Sequence, residues 1–91
     1  MNKIIRKIKK MFCKSGQVYK VNIKDIIISE EFRATHPRFK KMVQKREFYR
    51  KNNMYESQVI LNRDFMLIDG YATYLLCLEN GEKYVDVYFM D

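Results

Sequence analysis

Phe65-Met66-Leu67-Ile68-Asp69-Gly70-Tyr71-Ala72-Thr73-Tyr74-Leu75-Leu76-Cys77-Leu78-Glu79-Asn80-Gly81 is the stretch on which the fold turns. Its apolar opening, Met66 to Ile68, predicts a short strand, and Asp69-Gly70 predicts a turn. Glycine supplies the conformational freedom and close backbone approach that a sharp strand-to-helix junction requires. The residues that follow are apolar nearly all round a helical wheel, so the helix should be enclosed on more than one side. It should stop at Asn80-Gly81, where glycine takes the left-handed conformation that ends helices. The first turn of such a helix carries N–H groups without intrahelical partners. Asp69, Gly70 and Tyr71, with the hydroxyl of Thr73, therefore form a candidate phosphate or ligand cradle. The competing reading is plainer: Asp69 caps the helix and Gly70 only makes the turn.

Outward from this stretch, Ser57 to Asn62 reads as a strand with a buried run Val59-Ile60-Leu61. Asn62-Arg63-Asp64-Phe65 is a tight turn, so two antiparallel strands lead into the junction. Tyr84 to Phe89 alternates as a last strand, with Val85 and Val87 on one face and Tyr84, Asp86 and Tyr88 on the other. Gln17 to Ile23 alternates too, through Val18, Val21 and Ile23. Lys24 to Ser29 is either a turn of helix plus a loop or a second extended piece, and Glu30 to Thr35 is a connecting loop or a short helix. Thr35-His36-Pro37 should start a helix running to about Lys51 and ending in Asn52-Asn53, with proline at its first or second position. On it Phe39, Met42, Val43 and Tyr49 lie close to one stripe, surrounded by Arg38, Lys40, Lys41, Lys45, Arg50 and Lys51. Met1 to Lys14 reads as an amphipathic helix, with Ile4, Ile5, Ile8, Met11 and Phe12 on one face, broken at Ser15-Gly16. The expected organisation is a basic amphipathic N-terminal helix over residues 1–16 and one α+β domain over 17–91, a small mixed sheet packed with helices.

Ninety-one residues suit one modest core. With two cysteines, Cys13 and Cys77, and one histidine, His36, one chain lacks the roughly four ligands of a structural zinc site. No run approaches the roughly 18 apolar residues of a membrane span, and the expected location is the cytoplasm. The net charge of +7 is uneven. Residues 1–52 hold 16 Lys and Arg against 4 acids, +12, and residues 53–91 hold 2 against 7, −5. The basic half can attract nucleic acid through Arg38, Lys40, Lys41, Lys45, Arg50 and Lys51, lie on a membrane surface, or complement an acidic partner. The N-terminal helix suits packing on the domain's own core or on a second copy as a homodimer. Glu30 and Glu31 are weak candidates for a catalytic base, and Cys77 has no adjacent base to make it a nucleophile.

Gln58-Val59-Ile60-Leu61, the turn, Leu67-Ile68-Asp69-Gly70-Tyr71, the apolar helix to Asn80-Gly81 and Val85-Asp86-Val87 together resemble the ParB N-terminal-like domain of the ParB/sulfiredoxin superfamily. Val18 to Ile26 is similar to that family's opening strand, so the likeness covers roughly residues 17–89. It implies a compact α+β fold whose glycine-led helix start binds a nucleotide phosphate: CTP in ParB proteins, ATP in sulfiredoxin, ATP or ADP in related serine kinases, with or without magnesium. This chain departs from the pattern. Tyr71-Ala72-Thr73-Tyr74-Leu75 stands where ParB proteins carry acidic and arginine residues, so the phosphate-binding arginines are missing. Tyr71 stands where sulfiredoxin has its reactive cysteine. The kinases' histidine-and-arginine run is absent, although Glu30 or Glu31 is placed like their catalytic glutamate. The expectation is a stand-alone binding or accessory domain associated with nucleic acid, with a degenerate nucleotide pocket. The alternatives are a phosphotransferase or weak nuclease of the same superfamily, or a module that only binds protein.

Overall fold

The computed structural model describes residues 17–90. The amphipathic helix expected over residues 1–16 lies outside them. The elements are β1 (Tyr19–Asn22), a 3-10 turn (Ile23–Asp25), α1 (Glu30–Arg33), α2 (Phe39–Asn52), β2 (Val59–Leu61), β3 (Leu67–Asp69), α3 (Tyr71–Glu79) and β4 (Tyr84–Phe89). They form the α+β arrangement expected.

The four strands lie in the order β1-β4-β2-β3, with β1–β4 and β2–β3 antiparallel and β2–β4 parallel. The sheet is therefore mixed, and β4, the last strand among the described residues, sits inside it between β1 and β2. Alternation along β4 buries Val85, Val87 and Phe89 and turns Tyr84 and Asp86 outward. The inward residues meet Val21, Val59, Leu61 and Leu67 from the other strands and Cys77 from α3 in one apolar core. Leu61 and Val87 are wholly enclosed.

Two ambiguous segments resolve as mixtures. Residues 23–25 make the 3-10 turn, begun by the Asn22 side chain accepting the Lys24 N–H at 2.9 Å. Ile27 then pairs with Met66 in a parallel bridge that covers part of the β3 edge. Glu30–Arg33 is a short helix capped by the Ser29 hydroxyl on Phe32 N–H.

The start of α2 differs from the expectation. Thr35 closes the preceding helix, its hydroxyl donating to the Phe32 carbonyl at 2.8 Å, and so does not cap the next one. His36 and Pro37 lie outside any helix, and α2 begins at Phe39 after an extended Arg38. The apolar stripe read on α2 is also corrected: Phe39 is 81% exposed and Val43 is exposed as well. The helix is held instead at Lys45, at Arg46, whose guanidinium grips Glu79 of α3 at 2.7 and 2.8 Å, and at Tyr49, whose ring packs on Tyr55. Tethers at its middle and C-terminal half leave the first turn uncovered.

Candidate functional site

The strand-to-helix junction sits where the sequence places it. β3 ends at Asp69, Gly70 adopts φ 90°, and α3 begins at Tyr71. Gly70 is required twice over. A Cβ there would lie 2.2 Å from the Gln58 carbonyl oxygen and 2.9 Å from the Val59 Cα, so the helix start is pressed against the backbone entering β2. No side chain caps α3. The Asp69 carboxylate accepts the Gly70 N–H at 2.8 Å and reaches no further into the helix, so the N-terminal dipole of α3 is uncapped by protein side chains.

An open depression of about 650 Å³ lies at this helix start. One wall is Asp69 to Thr73, another is the loop residues 35–37 including His36, a third is the segment Glu56-Ser57-Gln58, and α2 contributes Lys41 and Lys45. Lys45, expected on the outward basic face, is the one buried residue of α2, 5% exposed. Its position on the inner side of the helix directs the ammonium to the Ser57 hydroxyl at 2.7 Å, with the Glu56 carboxylate at 3.9 Å. A buried ammonium is costly unless its charge and its three donors are satisfied. Here a neutral hydroxyl takes one donor, and the nearest carboxylate is beyond hydrogen-bond length and half in solvent.

The structure thus brings together Asp69, Gly70, Tyr71 and Thr73, as the motif reading grouped them, and adds Lys41, Lys45 and His36. Thr73 is buried within α3, at 3% exposure. Tyr71 packs in an aromatic row, its ring 5.2 Å from Phe32 and 6.2 Å from Tyr74. Burial of the Tyr74 hydroxyl raises its pKa above the ordinary tyrosine value, with Arg33 opposing. Glu30 and Glu31 stand elsewhere, beside Met66 to Ile68 in a separate shallow depression. Arg38, Lys40, Arg50 and Lys51 remain exposed along α2, Arg50 pairing with Glu47 on the same helix. Among the described residues no arginine lines the depression, no cluster of three or more His, Cys, Asp or Glu side chains is arranged to hold a metal, and no helix is long and apolar enough to cross a membrane.

Sequence reasoning placed Lys45 on the wrong side of its helix and left His36 as a helix-start residue. The signal for Lys45 was its spacing. Met42, Lys45 and Tyr49 recur at intervals of three and four, and all three are at least partly withdrawn from solvent.

No family model matches the chain, and no curated protein matches it. Solved structures do. The chain is similar to the C2221 form of a Pnob8-like ParB-N domain, at 23% identity and TM-score 0.68, over 82% of this chain and 30% of that one. It is also similar to the pNOB8-like ParB N-domain, at 25% identity and TM-score 0.63, over 82% of this chain and 28% of that one. It spans less than a third of the length of either matched chain. With its mixed sheet, its glycine-led α3 and these structural neighbours, the molecule has the fold of a ParB N-terminal-like domain.

Proposed function

We propose that this is a binding or accessory domain that takes the phosphate of a nucleotide, such as CTP or ATP, at the start of α3. The observation that carries the reading is Lys45: a buried, incompletely satisfied ammonium facing the same depression as an uncapped helix N-terminus. An anion there would meet aligned backbone dipoles and a cation in a poorly solvated place, where both act more strongly than in water. Lys45 and Lys41 then do the work of the arginines that the sequence lacks, as point charges rather than bidentate forks. The acidic groups Asp69 and Glu56 oppose a bare phosphate, so the ligand best suited brings magnesium, whose charge these carboxylates would help to balance.

Thermal unfolding with and without CTP or ATP plus magnesium tests this. Ligand at 100 times its dissociation constant adds about 2.7 kcal/mol. Lys45→Met should abolish that gain. Absence of stabilisation by any common nucleotide overturns the reading.

The exposed face of α2 supports a second, compatible role. Arg38, Lys40, Lys41, Arg50 and Lys51 are all exposed on or beside α2 and suit contact with a phosphate backbone, with association to nucleic acid that falls steeply with salt and reads little sequence. Nucleic-acid binding that is unchanged between about 50 and 200 mM salt would exclude it. The separation of Glu30 and Glu31 from the depression gives no support to a phosphotransferase using either as base.

A further inference from the structure

The first residue of α2 is an aromatic ring in water. Phe39 is 81% exposed, more than any other large hydrophobic residue described. The contacts that hold α2, at Lys45, Arg46 and Tyr49, all lie more than a turn further along the helix. Around the ring the charge has one sign. Arg38 precedes it and Lys40 and Lys41 follow; all three are exposed, and none is in an ion pair with a described residue. From residue 32 to residue 46 the chain carries six Lys and Arg and no acid.

We infer that Phe39 is a stacking platform for one base of a single-stranded nucleic acid, whose flanking phosphates meet Arg38, Lys40 and Lys41. The inference rests on the basic-face reading of α2 and names the class of nucleic acid that this face takes. Charge complementarity selects an anion, and the isolated ring selects which one. A protein partner of standard size covers about 800 Å² on each side, and an interfacial helix lays a whole apolar face into a membrane. Here α2 offers Phe39 and, one turn on, the edge of Val43, which is 36% exposed. A single flat ring matches a single base. In a duplex the faces of the bases are covered by their neighbours, whereas a single strand can splay them onto aromatic side chains between phosphate contacts.

Fluorescence anisotropy of the full chain with a labelled single strand of about 12 nucleotides, within the usual site sizes, and with the duplex of the same sequence tests this. The single strand should bind more tightly at equal salt. Phe39→Ala should weaken single-strand binding roughly 5- to 150-fold, the range for one stacked base, and leave the duplex unchanged. Its salt slope should stay that of the native chain, because a neutral ring releases no counterions. Phe39→Trp should keep the preference, and both variants should keep the native melting curve, since the ring is exposed. Lys40→Gln/Lys51→Gln should weaken both nucleic acids alike and flatten the salt slope, which reports on the basic face by itself. If that double variant weakens binding while Phe39→Ala changes nothing, or costs the duplex as much as the single strand, stacking is overturned and the basic face stands. Binding of neither nucleic acid overturns both. Equal binding of single strand and duplex, together with Phe39-dependent binding to phosphatidylserine vesicles, overturns the inference in favour of a membrane surface.

Discussion

At Gly70 the backbone stands at φ 90° with the Gln58 carbonyl where a Cβ would go, whereas at Gly81 the φ of 72° meets open space. Both positions favour glycine, but for different sums of effects. A left-handed non-glycine residue costs roughly 1–2 kcal/mol, which is all that Gly81→Ala should lose in chemical denaturation. Gly70→Ala adds a backbone collision, typically about 1–3 kcal/mol more, and it tilts the helix start on which the phosphate reading depends. Lys45 separates structure from binding in another way. Replacing a buried charge by an apolar group of similar shape is often neutral or stabilising, so Lys45→Met should keep or raise the melting temperature while nucleotide stabilisation vanishes. A fall of several degrees without ligand would instead make Lys45 a structural residue.

Between α2 and α3 the bidentate Arg46–Glu79 pair is the main polar tie. Its hydrogen bond with Arg46 holds the Glu79 carboxyl below its ordinary value of 4.5, and the same bond raises Arg46. A carboxylate with a lowered folded pKa contributes stability above its unfolded value and loses it as pH falls through the folded one. The α2–α3 contact should therefore loosen below about pH 4.5, seen as faster amide exchange along α2, and Glu79→Gln should remove that pH step. At this scale the sequence was most legible where period and punctuation agreed. The β2–β3 hairpin, the span of α3 and the alternation of β4 follow from Val59-Ile60-Leu61, Asp69-Gly70, Asn80-Gly81 and Val85/Val87. The start of α2 was not legible, because Thr35 is equally fit to close one helix or open the next, and here its hydroxyl bonds back to the Phe32 carbonyl three residues earlier. The depression was legible in half. Its floor is a local motif, but Lys45 arrives from an element 25 residues away, and only the packing of α2 on α3 shows which way it points.

For the molecule as a whole, Cys77 reports on the integrity of the core. Enclosure raises its thiol to about 11, and burial likewise raises the hydroxyl of Tyr55, to which Asn80 donates at 3.2 Å. Both groups are neutral when folded and ionise more readily when unfolded, so stability is complete below about pH 9 and declines as pH rises towards 11. Melting temperatures measured across that range should fall, and Cys77 should resist alkylation at pH 8 until denaturant is added. The strand order has a consequence for biosynthesis. β1 finds no partner until β4 exists, and β2 pairs on one side only, so the sheet lacks its middle until residue 89 is made. Everything from β1 to β4 must therefore have emerged from the ribosome before this sheet can close, and a nascent chain halted at residue 83 should be digested by protease as readily as an unfolded one.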